Sequence, residues 1–339
     1  MCMREIVVKS LLAIIYFSFC SCGNNVSRIV KNATVVKVCA DAPISEFECD
    51  RVAADLDVVG AVSVHRVTDS EFVLMMMAGD YCLQWVDLAE GKNIGLLRRG
   101  NGPDEMDFAG VAGIWKNDAG DTIVSAYSIN LKRVANINLT RSLSQGLTIV
   151  ENSHDIPKHT MYVLADKDRM VSYAHTQDGV ALHVLSSGSG QESIIFPFGN
   201  NGYWGTKDAF FAATSLADDG GMLMAMASFP RIYAIDLNTG KAQAFSSETT
   251  TDKSIIKDIE QKNLSDCYGY VAAAGNRIYA LYTAPASGKK MVQVWQSTGN
   301  LEYSFEVVPD IVNFCILSDN KTLLGITINS ELLRYKLER

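Results

Sequence analysis

The densest run of chemistry-bearing residues is GLLRRGNGPDEM at 95–106. Arginines, glycines, a proline and carboxylates in one short loop suit an anion cradle or a pair of acid–base carboxylates. The spacing argues against both. No helix opening on a Lys-Ser/Thr pair follows, as a phosphate-binding loop requires. Asp104, Glu105 and Asp107 are neighbours on a turn and point in different directions, whereas glycoside chemistry needs two carboxyls flanking one bond. Gly100 and Gly102 permit backbone angles that other residues resist, and Pro103 fixes φ, which describes a structural joint. Arg98 and Asp104 are left to face a ligand or to pair across that joint.

Three other stretches carry candidate groups. In HDIPKH, His154 and His159 flank Asp155 as a weak metal pair, with His175 as a distant third. A zinc site needs three or four ligands, so polar loop histidines are the plainer reading. In GNNGYWGTK, Tyr203 and Trp204 offer flat apolar surface to a sugar or peptide, or else plug a loop. In SFPR, Arg231 could hold a carboxylate bidentately, or form a salt bridge within the fold. There is no GxSxG elbow, and no cysteine is placed beside a histidine, so nucleophilic catalysis has no support.

What positions these groups depends on the rest of the 339 residues. A hydrophobic fraction of 48% with 20% charged residues is globular. A net charge of −8 with no basic face excludes a nucleic-acid binder. At the start, Arg4 and Lys9 flank SLLAIIYFSF (residues 10–19), an apolar run of signal-peptide length that then meets FCSCG. That junction resembles the lipobox of bacterial lipoproteins, with Ser21 as the small residue before an acylated Cys22; Cys20 stands where a small residue is usual. The alternative is an ordinary secretory signal cleaved nearby. Residues 1–21 are thus read as a signal peptide and 22–32 as a tether. Gly23-Asn24-Asn25 carries neither an aspartate retention signal nor an acidic run, which points to an outer-membrane anchor facing the periplasm. Beyond Cys22 the chain holds Cys39, Cys49, Cys82, Cys267 and Cys315, an odd number without a CxxC. Cys39 and Cys49 could pair, but buried free thiols are the expectation.

A polar turn followed by an apolar, β-rich run recurs along the chain: TDS-EFVLMMM, NDAG-DTIVSAY, DKD-RMVSYAH, ADDG-GMLMAMA, AGN-RIYALYT and SDN-KTLLGIT. The turn centres fall near residues 69, 119, 167, 219, 275 and 319, about 50, 48, 52, 56 and 44 apart. Each run is followed by a second strand with its own turn, as in RIYAIDLNTGK and MVQVWQSTGN. That period is expected of four-stranded propeller blades. The pattern predicts an all-β chain, a six-bladed β-propeller over residues 33–339, with one helical stretch at 252–263. The last repeat stops after its third strand, so an N-terminal strand must close the ring, and ATVVKVC (residues 33–39) is the expected donor.

With this repeat pattern and GNGPDE at 100–105, the chain resembles the TolB-like six-bladed propeller lipoproteins, which carry a G-x-G-P-x-E turn after their first blade. The resemblance implies a cell-envelope binding or scaffolding role, without catalytic residues, for a peptide, protein or glycan. It also implies a ligand face built from blade-to-blade crossovers and second-to-third-strand hairpins, with Arg98, Asp104, Tyr203, Trp204 and Arg231 as ligand-binding candidates. No cofactor is expected, although a calcium ion would suit an axial channel; no DxDxDG loop appears. Six-bladed propellers also host metal-dependent lactonases and lyases in that channel, which is the alternative reading.

Overall fold

The computed structural model describes residues 29, 33–35, 43–52, 56, 58–176, 179–187, 190–195, 212–217, 220–248, 250–285 and 287–337. Six antiparallel sheets stand around an axis as a six-bladed β-propeller. Blade 1 is Ala61–Arg66, Glu71–Met76, Tyr81–Asp87 and Lys92–Arg99. Blade 2 is Gly110–Lys116, Thr122–Ser128, Arg133–Asn138 and Val150–Asp155; blade 3 is Thr160–Ala165, Arg169–Thr176, Gly179–Ser186 and Glu192–Ile195. Blade 4 is Ala212–Leu216, Met222–Met226, Ile232–Ile235 and Ala242–Phe245; blade 5 is Tyr268–Ala274, Arg277–Thr283, Lys290–Gln296 and Leu301–Glu306. Blade 6 supplies Ile311–Ile316, Thr322–Thr327 and Leu332–Lys336. The first strand of every blade touches the first strands of both neighbours, which closes the inner ring.

The core lies between blades. Six apolar clusters of described residues fill the six interfaces, for example Val73, Leu83 and Leu97 against Val124 and Ile137 between blades 1 and 2. Strand alternation explains this: both faces of each middle strand meet a neighbouring blade, so strands such as Met222–Met226 are apolar throughout. Aromatic residues on the third strands, Trp85, Tyr233, Trp295 and Tyr335, widen the wedge away from the axis. Between blades 2 and 3 the inner strands approach so closely that a Cβ at Gly113 would lie 1.9 Å from the Ala165 carbonyl oxygen.

An N-terminal strand closes the ring, but residues 33–39 do not supply it. Cys49–Val52 pairs antiparallel with Leu332–Lys336 as the fourth strand of blade 6. Ala33–Val35 instead runs parallel to Ala242–Phe245, and Ile44–Ser45 parallel to Leu301–Glu306. The segment therefore follows the rim, covering the outer edges of blades 4 and 5 before it completes blade 6. A β-branched run at 33–39 suits an edge strand equally well in either place, so composition could not choose between them.

The expected helix forms at Asp252–Gln261, between blades 4 and 5. Thr251 and Ser254 make a reciprocal capping box, and Ile255 and Ile259 are buried four residues apart. A second helix, Leu139–Gln145, was not anticipated. Asn138 caps it through the Arg141 N–H, and Gly146 ends it at φ 67°. Its Arg-Ser-Leu-Ser-Gln interior carries too little apolar periodicity to be seen in sequence. No described helix is long and apolar enough to cross a membrane.

Candidate functional site

Turns between first and second strands share one side of the ring with turns between third and fourth strands; we term this the hairpin face. Second-to-third turns and blade-to-blade crossovers form the opposite, crossover face. Of the expected ligand residues, Arg98, Asp104 and Arg231 belong to the crossover face.

There, GNGPDE is a joint. Glu105 and Met106 pair parallel with Arg98 and Arg99 as a short fifth strand on blade 1. The Glu105 carboxylate turns back to accept the Gly102 N–H at 3.1 Å, and a Cβ at Gly100 would collide with it. Arg133 of blade 2 donates to the carbonyls of Gly102 (2.9 Å) and Glu105. Arg99 donates to the carbonyls of Asp107 (2.6 Å), Met76 (2.9 Å) and Gly79 (3.1 Å). The Asp107 carboxylate accepts the Ser128 hydroxyl and the Asn130 amide, both at 2.7 Å; these bonds and its own loop's N–H groups hold its pKa below the usual carboxylate range against burial. Arg98 and Asp104 stand exposed on this joint.

Arg231 lies elsewhere on the same face and is 2% exposed. Its guanidinium donates to the Thr250 hydroxyl at 3.1 Å and to the Thr250 carbonyl, with the Asp252 carboxylate 3.9 Å away. It thus clamps the blade 4 hairpin to the start of the 252–261 helix. Nearby, the Tyr282 phenol donates to the Glu248 carboxylate, and Tyr268, Gln293 and Ser247 form a second chain at 3.0 Å per bond. Tyr203, Trp204 and Cys22 lie outside the described residues. Neither cavity found among the described residues is lined by Arg98, Asp104 or Arg231. His154 and His159 are exposed, and among the described residues no three His, Cys, Asp or Glu side chains are grouped to hold a metal ion.

The described concavities open on the hairpin face. One is the axial channel, about 500 Å³, walled by inner strands of five blades. His65, Tyr270 and Cys315 face it, with Arg66, Ser318 and Asn320 near its mouth. Burial pulls the His65 pKa down to about 4, so its imidazole is neutral at pH 7, and its Nε2 lies 2.9 Å from the Ser63 hydroxyl. Burial pushes the Cys315 thiol up to about 12, with Arg66 opposing weakly, and lifts the Tyr270 phenol to about 12. Among the described lining residues, Arg66 is the one charged at neutral pH, and it lies 3.6 Å from Asp69. No carboxylate is among the described lining residues. Calcium takes roughly six to eight oxygen ligands, often carboxylates, and this donor set does not fit it.

The second concavity is a groove of about 960 Å³ between blades 4 and 5. Ala217, Ala234, Ala242 and Ala273 make its floor low, because methyl groups stand where larger side chains would fill the wedge. Four turns make its walls and bring Asp236, Asn238, Lys241, Asn276, Arg277 and Ser297 to the rim. Asp236 accepts N–H groups from Asn238 (2.8 Å) and Thr239 (3.1 Å), which depress its pKa and keep it ionised. Arg277 is held by Glu302 at 2.8 Å. Ala273 and Gly275 line groove and channel alike, so the two lie side by side. Sequence reasoning missed these residues, having read DLNTG and AGN only as turns; the available signal was alanine at several adjoining strand positions.

No protein-family model and no curated protein matches the chain. Among solved structures, virginiamycin B lyase from Staphylococcus aureus, in a catalytically inactive form with quinupristin, is similar at 11% identity and a TM-score of 0.52, over 86% of this chain and 100% of that one. A streptogramin B lyase gives the same identity and score, over 86% and 98% of the two chains. The WD40 repeats of RRP9 reach 10% identity and 0.52, over 88% of this chain and 99% of theirs. At these identities the likeness is one of fold.

Proposed function

We propose that the protein is a binding module of the cell envelope, akin to the TolB-like propeller lipoproteins, anchored through lipid at Cys22 in the outer membrane and facing the periplasm. Its ligand site is the groove between blades 4 and 5 together with the axial channel. The observation that carries this is the groove itself, about 960 Å³ with an apolar floor and a rim of amides, hydroxyls and charges, set beside the channel. Amide and hydroxyl side chains both donate and accept, which suits peptide or glycan backbones.

The test is a photoreactive amino acid at Asn238 in the intact cell. Ligand adducts at Asn238 exceeding those at Glu90, on the hairpin face of blade 1, support the reading; equal yields at both sites refute it. For the anchor, Cys22→Ala should release the protein from membranes, and unchanged retention would remove the lipoprotein assignment. The competing reading, a metal-dependent lactonase or lyase in the channel, draws on the neutral imidazole of His65 and on the lyase neighbours. It predicts that calcium or zinc raises the melting temperature.

A further inference from the structure

The axial channel is asymmetric in charge. Its described lining residues include one cation, Arg66, and no carboxylate. His65, Tyr270 and Cys315 share the wall with it and are uncharged at neutral pH, because burial opposes the ionisation of each. Val111, Ile114, Phe314 and Ile316 add apolar surface.

Asp69 does not use up the Arg66 guanidinium. Its Oδ1 lies 3.6 Å from Arg66 Nη1, longer than a hydrogen bond, and the Arg66 and Asp69 side chains are 38% and 51% exposed. So open an ion pair is weak and screened by salt. The Asp69 carboxylate is held instead by Ser318 of blade 6, accepting its N–H at 2.8 Å and also its hydroxyl. Those two bonds, ahead of Arg66, hold the Asp69 pKa below the usual carboxylate range. Asp319, next in the same turn, accepts the N–H groups of Lys321 (2.8 Å) and Thr322 (2.9 Å) and the Thr322 hydroxyl (2.7 Å). Both acids beside the mouth are thus engaged within the fold, and the guanidinium keeps donors for a ligand. His65 is open too. Its Nε2 pairs with the Ser63 hydroxyl at 2.9 Å, and Nδ1 has no partner among the described residues. Because a hydroxyl either donates or accepts, the imidazole can present a donor or an acceptor at Nδ1.

We propose, on the reading that the channel belongs to the ligand site, that it receives an organic carboxylate, with the anion on Arg66 at the mouth and an aliphatic body against the apolar wall. A guanidinium forks onto a carboxylate through two parallel N–H donors. One cation suits a monoanion, whereas phosphate brings more charge and more acceptor oxygens than one guanidinium satisfies. The apolar wall disfavours a hydroxylated sugar acid, whose hydroxyls would lose water without finding partners. Two sources share the favoured chemistry: a free small acid, and the C-terminus of a peptide lying in the groove, which meets the channel at Ala273 and Gly275.

The experiment is a saturation-transfer NMR titration of the full chain in neutral detergent micelles. The probes are acetyl-Ala-Ala-Leu, its C-terminal amide, pentanoate and pentanamide. Each acid should bind about tenfold more tightly than its amide, as expected for a charge-assisted pair. Arg66→Gln should erase that preference with an unchanged melting temperature, and Arg66→Lys should keep part of it, having the charge without the fork. Asp69→Asn keeps an oxygen for Ser318 but removes the competing charge, and should tighten both acids about threefold. A peptide acid well ahead of pentanoate assigns the site to a chain end, and comparable affinities assign it to a free acid. Acids and amides that bind alike, acid binding untouched by Arg66→Gln, or no binding of either acid at millimolar concentration would overturn the proposal. So would methyl glucuronide or inorganic phosphate competing as well as pentanoate. Adducts at Asn238 that persist in any of those cases would leave the groove standing and remove the carboxylate alone.

Discussion

Replacing Gly113 by alanine probes the tightest approach in the ring. Gly113 lies on the first strand of blade 2, and its added methyl would sit 1.9 Å from the Ala165 carbonyl oxygen of blade 3. Carbon and oxygen rest at roughly 3.3 Å, so the inner strands must part by about 1.4 Å. The apolar cluster behind them, Ala112, Val134, Ile156, Val163 and Ala165, is the smallest of the six and has little slack to redistribute. Overpacking of this kind costs about 1–3 kcal/mol, and a backbone obstacle that cannot rotate aside puts Gly113→Ala near 3. At roughly 2 °C per kcal/mol for a chain of this length, the melting temperature falls by about 6 °C. Gly269→Ala is the matched control. It lies on the first strand of blade 5, where the methyl would meet Leu281 at an ordinary 3.7 Å. Reduced freedom of the unfolded chain should make that change neutral or stabilising by up to about 1 kcal/mol. Both variants are measured by calorimetry. A Gly113→Ala protein as stable as its Gly269→Ala counterpart would refute the argument that blade approach sets the inner ring.

His65 should make stability depend on pH. Its pKa falls from 6.5 to about 4 on folding, so the unfolded chain binds the extra proton, and stability is full above pH 6.5 and lost as pH falls toward 4. The loss is on the order of 3 kcal/mol in urea titrations, and His65→Gln should remove that portion of the slope. Cys267 and Cys315, both buried with pKa raised to about 12, should resist iodoacetamide at pH 8 until the chain unfolds, whereas half-buried Cys49 reacts first. Equal rates for all three would contradict the burial. Truncation separates the two roles of the N-terminal segment. A chain starting at 46 loses edge strands and keeps its ring, with a modest drop in melting temperature; one starting at 53 opens the Leu332–Lys336 edge and aggregates.

Blade number, strand order and the role of GNGPDE were legible in the sequence because they depend on local information. Turn residues set hairpins, and two-residue alternation sets strands, so a period near 50 residues fixes how many blades a chain of this length can make. Helix 252–261 was legible for the same reason, through Ile255 and Ile259 spaced one turn apart. The ring-closing strand was not. Residues 33–39 and Cys49–Val52 compete for edges that look alike one strand at a time, and only the arc around the rim brings the later one to Leu332–Lys336. Arg231 shows the same limit, since SFPR does not reveal that Thr250 and Asp252 will cover its guanidinium. The groove is farther still from the sequence. It gathers residues from two blades and four turns tens of positions apart, and a cavity is a property of side chains that meet only when the ring has closed.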